Sequence, residues 1–239
     1  MNLRTLNVQA PSAFTRRLIA HSLPRFLHVH PGLRVVICDA NPADRLLAHN
    51  ADVAICIGQI TDPDLVANEI GAVRTITCAS PDFVECIGVP KSPADVDPNH
   101  CIAVLKPGTH CAQQWQFRRR SETYTILPAA PLAFSDGDSA IAAAVRGGGY
   151  VRVLCIEAEQ QVAAGLLLPV LNDWNDASQP VAMVHARDRN ASDEVIEFRT
   201  FMASIFPSAM AAASRRGTLS GKTDSKLSVP RTSMDFSGR

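Results

Sequence analysis

The sequence predicts an α/β fold with parallel strands, and its local patterns carry that prediction. Val53 to Ile57 is a short apolar run, rich in β-branched residues, that ends at Gly58, as expected of a buried strand in a parallel sheet. Apolar residues recur at helical spacing from Phe14 to Leu27, and Pro31-Gly32 then stops the pattern. Strand and helix patterns alternate through residues 3–57, which favours βαβ units with right-handed crossovers.

The N-terminal half divides into elements at recognisable breaks. Leu3 to Val8 has the mixed alternation of a first strand, and Ala10-Pro11-Ser12 ends it. Ser12 is a natural N-cap for the next helix, because its hydroxyl can accept a hydrogen bond from a free amide of the first turn. The further elements predicted here are a strand at Leu33 to Cys38, a helix at Pro42 to His49 and the strand at Val53 to Ile57.

The C-terminal half is predicted from the same kinds of signal, with Ser80-Pro81 as a break. Before it, Leu65 to Ala79 is mostly apolar and β-branched and should hold one or two strands. A final amphipathic helix begins after Ser192, which is placed to cap it. Residues 208–239 are predicted to be a disordered tail, since the chain becomes rich in Ser, Thr, Gly and basic side chains. The other predicted elements are a helix at Asp82 to Ile87, a strand at Cys101 to Leu105, a hairpin of Trp115 to Phe117 with Tyr124 to Leu127, a helix at Asp138 to Arg146, a strand at Val151 to Ile156, a helix at Glu157 to Ala164, and strands at Leu166 to Leu171 and Val181 to His185.

Composition and charge argue against several classes of function. The 239 residues include 23 basic and 23 acidic side chains, so the formal net charge is zero and gives no reason to expect nucleic-acid binding. No apolar run is long enough for a transmembrane helix, and residues 1–9 do not have the pattern of a signal peptide. We therefore expect a cytoplasmic protein that makes no membrane contact.

The cysteines and the absence of known catalytic motifs limit the chemistry further. Seven cysteines are scattered through mostly apolar runs, which favours buried free thiols in a reducing compartment over disulfides. His100-Cys101 and His110-Cys111 could be read as metal-ligand pairs, but no ligand spacing supports a site there. No enzyme activity and no cofactor are predicted. Cys56, at a strand end, is a minority candidate for redox sensing through a thiol of lowered pKa.

A binding site is predicted where strand ends and helix N-termini meet. Gly58 marks the carboxyl end of a strand, and ligands of open α/β sheets collect outside such ends. The helix that begins at Ser12 presents unpaired amides and the positive end of its dipole, and the turn Ser135-Asp136 is expected to offer the same geometry. Two facing helix N-termini suit a small carboxylate or a carbonyl-rich metabolite. The plainer alternative is that Ser12 and Ser135 are only helix caps.

Blocks of sequence spread from Leu3 to Phe206 resemble, in order and spacing, the effector-binding domain of LysR-type transcriptional regulators. The family usually has an arginine at the position of Cys56, which leaves Arg152 as the remaining cation near the expected cleft. The blocks that carry the resemblance are LNVQAPSAF at 6–14, LPRFLHVHPG at 23–32, ADVAICIG at 51–58, CASPDF at 78–83, GVPKSPAD at 88–95, HCI at 100–102, WQF at 115–117, AAGLL at 163–167 and VIEFRTF at 195–201.

The resemblance implies the fold of the type 2 periplasmic binding proteins, with two Rossmann-like subdomains joined by two crossover strands. Subdomain I would hold residues 1–79 and 186–207 and subdomain II residues 80–185, with crossovers near Ala79-Ser80 and near His185. A small effector would bind between them, and subdomain I would pair side by side with a second copy. The residues expected at the effector are Pro11, Ser12, Ala13, Cys56, Gly58, Ser80, Phe134, Ser135, Asp136 and Arg152, and those expected at the dimer interface are His21, Arg25, His28 and Val35.

The leading functional interpretation is therefore a ligand-sensing domain whose geometry changes when a small-molecule effector binds. The family places a helix-turn-helix before this domain, and Met1 lies almost at the first strand. We therefore expect the DNA-binding half to be absent from this chain and the chain itself to make no DNA contact. The alternatives are a headless partner that forms homodimers, or heterodimers with related regulators, and a solute-binding protein of a transporter.

Overall fold

The computed structural model describes residues 4–39, 51–106, 108–129, 131–174, 178–187 and 192–216, with side chains up to residue 206. The first subdomain is built on strands β1 (Arg4–Ala10), β2 (Leu33–Asp39) and β3 (Val53–Ile57). Its first helix, α1, joins an α-helical turn (Ser12–Phe14), a π-helical segment (Thr15–Ile19) and an α-helical segment (Ala20–Val29).

The second subdomain lies in the middle of the chain and is made of short elements. They are α2 (Pro81–Ile87), β5 (Ala103–Val104), β6 (Trp115–Arg119), β7 (Glu122–Ile126), β8 (Ala133–Phe134), α3 (Gly137–Val145), β9 (Val151–Leu154), α4 (Cys155–Ala163) and β10 (Leu168–Val170). β6 and β7 form an antiparallel hairpin, and β5 pairs in parallel with β8. The hairpin and the helix predicted after Ser80-Pro81 are confirmed.

Two long strands, β4 (Leu65–Ala79) and β11 (Ser178–Ala186), connect the subdomains. They pair with each other in antiparallel fashion, and β11 also pairs with β3 through residues 181–184. The end of β4, residues 75–79, pairs instead with β9 and β10 of the second subdomain. The chain therefore crosses within these strands, near residues 74–75 and 178–181, and the crossings predicted at Ala79-Ser80 and His185 are displaced by a few residues.

One sheet results, in the order β10-β4-β11-β3-β1-β2, with β9 on the far part of β4. β1 runs parallel to both β2 and β3, and α1 connects β1 to β2 as the helix of a βαβ unit does. β3 is antiparallel to β11 on its other side, so the sheet is mixed rather than wholly parallel. The helix predicted at Pro42 to His49 lies outside the described residues.

Each subdomain has its own apolar core, and the first is rich in aromatic contacts. Phe26 of α1 packs against Phe198 and Phe201, with ring centroids 5.6 and 4.9 Å apart, and Phe14 lies 5.6 Å from Phe206. Burying an aromatic side chain of this size stabilises a fold by about 2–3 kcal/mol. This packing holds α1 with its N-terminus at the carboxyl end of β1, facing the second subdomain.

The final helix, α5 (Asp193–Arg216), corrects the predicted boundary of the tail. Ser192 caps it as expected, since its hydroxyl accepts from the amide of Val195 at 3.5 Å. The helix then continues through Pro207 to Arg216, so the prediction of disorder from residue 208 is wrong for residues 208–216. Alanine at 209 and 211–213 is the strongest helix former and outweighs one proline. Residues 217–239 lie outside the described part.

Candidate functional site

The N-terminus of α1 is not capped in the way the sequence suggested. Pro11, with ψ of 135°, is the N-cap, and its carbonyl accepts from the amide of Thr15 at 3.0 Å. Ser12 is already the first helical residue, and in the described chain no side chain caps this terminus. The predicted N-cap role of Ser12 is therefore wrong, because Pro11 has already turned the chain. Ala13 is buried, and the side chain of the N-cap residue Pro11 gives the first-turn amides no hydrogen-bond acceptor.

Gly58 follows β3 and borders open space beside that terminus. Its φ of +98° is a conformation that glycine adopts easily, and its N–H donates to the carbonyl of Pro180 at 2.8 Å. A Cβ built on Gly58 would meet no atom within 4 Å, so the position faces an open region rather than a packed one. The cleft predicted at the carboxyl end of β3 stays a prediction.

Cys56 lies two residues earlier and is a buried thiol. It packs in a small apolar cluster with Leu65, Ala182 and Val184, on the face of the sheet away from α1 and α5. Burial raises its pKa to about 11. A thiolate of lowered pKa at Cys56 is therefore not supported, and redox sensing by this residue stays a prediction. The polypeptide backbone, rather than this side chain, borders the open region.

The N-terminus of α3 faces α1 but is occupied by its own cap. Phe134 ends β8, and Ser135 is exposed and takes no part in capping. Asp136 is the N-cap, and its carboxylate accepts from the amide of Ser139 at 2.8 Å and from the Ser139 hydroxyl at 2.9 Å. The hydrogen bond from the Ser139 amide is the main reason that the pKa of Asp136 lies below its ordinary value. This helix start therefore presents a carboxylate, contrary to the expectation of a second free anion site.

Arg152 is held inside the second subdomain. Its guanidinium donates to the hydroxyl of Thr77 and to the carbonyl of Gln116, both at 2.9 Å, and lies 4.3 Å above the ring of Phe117. Burial lowers its pKa to about 10, so the group still carries its charge at neutral pH. These contacts attach the β6–β7 hairpin to strands β4 and β9. Arg152, the remaining cation expected near the cleft, is bound to the hairpin by these contacts.

Ser80 is also engaged in local structure, at the end of β4. Its side chain is almost fully buried, and its hydroxyl accepts from the amide of Phe83 at 3.3 Å as the N-cap of α2. It lies at the junction of the connecting strand with the second subdomain. Its contacts make it a cap at that junction.

A pair of arginines missed by the sequence reasoning joins the two facing helices. Arg16 Nε lies 2.7 Å from Asp138 Oδ2, and Arg17 Nη2 lies 2.9 Å from Asp138 Oδ1. Arg17 also donates to the side-chain oxygen of Gln160 on α4 at 3.0 Å. The signal in the sequence was an Arg-Arg pair near one helix start and an acidic residue near another. Nothing local indicated that these two helix starts would face each other.

The residues predicted for dimerisation lie on an outer edge of the first subdomain. His21, Arg25 and His28 are exposed on α1, and Val35 is half-buried on β2. Among the strands that the structure describes, β2 is the last on that side, so one row of its backbone groups has no partner strand there.

Other kinds of site find little support in the described residues. No three His, Cys, Asp or Glu side chains among them come together as a candidate metal site. Within the same stretches, no helix is long and apolar enough to cross a membrane.

Comparison with known proteins decides the family. The model of the LysR substrate binding domain matches residues 2–206. The chain belongs to this family. This LysR domain is 22% identical over 202 residues to the uncharacterized HTH-type regulator YhjC of Escherichia coli K12, covering 84% of this chain and 67% of that protein. It is 24% identical over 205 residues to the HTH-type regulator DmlR of the same strain, covering 84% and 66%.

Solved structures agree with the fold of this LysR domain. The regulatory domain of CrgA from Neisseria meningitidis has a TM-score of 0.72 at 20% identity, covering 84% of this chain and 98% of that one. Full-length AphB from Vibrio cholerae has a TM-score of 0.74 at 21% identity, covering 85% and 69%. The predicted fold class is confirmed. The LysR domain thus spans about two thirds of its full-length relatives, which are transcriptional regulators rather than enzymes.

Proposed function

We propose that this chain is the effector-sensing domain of a LysR-type transcriptional regulator and binds a small molecule between its two subdomains. The observation that carries the proposal is the N-terminus of α1, which makes no side-chain cap hydrogen bond from Pro11 and follows β1 at the same edge of the sheet where Gly58 follows the parallel strand β3. The first-turn amides of Ser12, Ala13 and Phe14 point out of the helix there, at the positive end of its dipole. The start of α3 in the second subdomain faces them.

The two sides of the cleft favour different groups on the effector. The α1 terminus suits a carboxylate, because amides without a side-chain acceptor and the helix dipole both favour negative charge. The opposite side presents the ionised carboxylate of Asp136, which suits a hydroxyl or ammonium donor. The proposed effector class is therefore a small carboxylic acid that carries a hydrogen-bond donor at its other end.

Thermal-shift screening of small hydroxy, amino and simple carboxylic acids tests this function. A ligand that binds the folded state raises the melting temperature in proportion to the logarithm of its concentration over Kd. Ser12→Trp and Ser135→Trp, which fill the two sides of the cleft, are expected to weaken binding of any compound found by at least about tenfold. Ser121→Trp in the exposed hairpin turn is the matched control. Compounds that bind all three variants as well as the parent chain would place the site elsewhere and contradict the proposal.

We also propose that subdomain I pairs with a second copy, or with a related regulator, through α1 and β2. The support is the exposed edge of β2 together with the exposed side chains of His21, Arg25 and His28. Arg25→Glu is expected to raise the dimer dissociation constant at least about tenfold in analytical ultracentrifugation, since the new carboxylate would have to lose its hydration in the interface. Arg118→Glu, an equally exposed arginine of the hairpin, serves as the control. Equal effects of the two changes would argue against this interface.

A further inference from the structure

The two subdomains are tied together at the mouth of the cleft by charged groups. Arg16 and Arg17 of α1 both bind the carboxylate of Asp138 in the first turn of α3, and Arg17 adds a hydrogen bond to Gln160 of α4. Only 18% of the Arg17 side chain is exposed, against 45% for Arg16. These contacts therefore range from partly buried to half-exposed, where an ion pair has more effect than on an open surface.

The π-helical segment explains how two consecutive arginines reach one carboxylate. The amide of Ala20 donates to the carbonyl of Thr15, a spacing of five residues instead of the four of an α-helix. The wider turn separates successive side chains by a smaller angle about the helix axis. Arg16 and Arg17 lie inside this segment, so both project towards α3.

The starts of α3 and α4 carry three acidic side chains, whereas α1 brings two arginines to them. Asp136, Asp138 and Glu157 gather at the starts of α3 and α4, and Glu157 is buried with its carboxylate accepting from the amide of Leu154 at 2.9 Å. Burial is the largest cause of the raised pKa of Glu157, with Asp138 adding to it and Arg16 and Arg17 opposing it. Without the two arginines, the three carboxylates would repel one another across these helix starts.

The rest of the subdomain contact is of a different kind. Ile156 at the start of α4 is buried in the core of the first subdomain, and the long strands β4 and β11 continue between the two. These features make a packed apolar pivot. The contacts of Arg16 and Arg17 with Asp138 are polar and partly exposed, and they lie outside this apolar core, so they can break while the core stays buried.

We infer that Arg16, Arg17 and Asp138 form an ion latch that holds α3 against α1 and sets how readily the cleft opens. This use of the latch rests on the proposed function, because opening matters only if an effector enters between the subdomains. The latch itself is a property of the chain without ligand. Salt weakens these ion pairs by screening their charges. Removing the charge of Asp138 frees the two arginines, and removing the charges of both arginines frees Asp138.

Hydrogen exchange measured by mass spectrometry on the ligand-free chain tests the latch across the cleft. Asp138 also stabilises its own helix by lying near its N-terminus, so a change in α3 would show a local effect as well as loss of the latch. The effect of each substitution is therefore measured on the opposite helix: arginine substitutions on α3, and substitution of Asp138 on α1. Arg16→Gln with Arg17→Gln is expected to speed amide exchange in the first turn of α3 about fivefold, and Asp138→Asn to do the same in the first turns of α1. Adding Asp138→Asn to the arginine changes is expected to speed exchange in α1 no further.

Glu194→Gln is the matched control, because it removes the 2.7 Å ion pair between Arg4 and Glu194 inside the first subdomain. It is expected to leave exchange at both helix starts unchanged. Sodium chloride at about 0.5 M should reproduce the effect in the parent chain and add nothing in the Asp138→Asn variant. Unchanged exchange at α3 in the arginine variant, with its circular dichroism and melting temperature intact, would overturn the latch. That result would leave the effector proposal standing, since no effector is used.

Discussion

Replacing Gly71 with alanine is expected to lower the free energy of unfolding by about 3 kcal/mol. Gly71 lies in β4 beside the register shift between β4 and β11, where the chain passes between the subdomains. An added Cβ would lie 2.6 and 2.8 Å from two ring carbons of Phe206, which is fully buried. The φ of +151° adds backbone strain for any residue with a side chain. The ring of Phe206 also packs against Phe14, so it has little room to move.

Urea unfolding followed by circular dichroism measures this change. Gly32→Ala is the matched control, because Gly32 also has a positive φ, of +88°, but an added Cβ there would meet nothing within 4 Å. It should lose only about 1 kcal/mol, the cost of backbone strain alone. Equal losses in the two variants would mean that Phe206 is not packed against the connecting strand as described.

Replacing Arg152 with alanine is expected to lower the free energy of unfolding by a similar amount, about 3 kcal/mol. The change leaves the hydroxyl of Thr77, which is fully buried, and the carbonyl of Gln116 without their donor. It also removes the stacking of the guanidinium on Phe117. The β6–β7 hairpin should lose its attachment first, so amide exchange in residues 115–126 should rise more than in the first subdomain.

Arg152→Lys tests whether the stability depends on the positive charge of the side chain alone or also on the planar shape of the guanidinium. Lysine keeps the positive charge but cannot bind both oxygens in a planar fork while it stacks on a ring, so it should recover less than half of the loss. Arg118→Ala on the exposed part of the same hairpin should change stability by less than about 0.5 kcal/mol. If Arg152→Ala were as mild as Arg118→Ala, the role of Arg152 as the anchor of the hairpin would be excluded.

Much of the fold could be predicted because local patterns and tertiary contacts agree in it. The strand at Val53 to Ile57 is confirmed with the same bounds, since its apolar run is bounded by a turn and by Gly58. The hairpin and the helix that Ser80 caps are confirmed for similar reasons. The end of α5 lies beyond the predicted start of the tail, because the alanines at 209 and 211–213 favour helix although the chain there is also turning polar and basic.

Less of the site could be predicted, because its properties depend on which groups meet in space. Whether Ser12 or Pro11 caps α1 depends on backbone angles that one residue type does not determine. Arg152 was identified near the cleft, but its partner Gln116 is 36 residues away along the chain. Arg17 and Asp138 are 121 residues apart, so their contact required the relative placement of two subdomains.

Binding of an effector between the subdomains is tested most directly with the compound that binds most tightly in the carboxylic-acid screen. The measurement is which backbone amides of the chain exchange hydrogen more slowly when that compound is bound. Hydrogen exchange with and without that compound should show slowing in residues 11–15 of α1 and in residues 134–139 of the second subdomain together. Residues 115–126 of the hairpin should show no change. Slowing confined to one subdomain, or found only outside these two segments, would contradict a site between the subdomains.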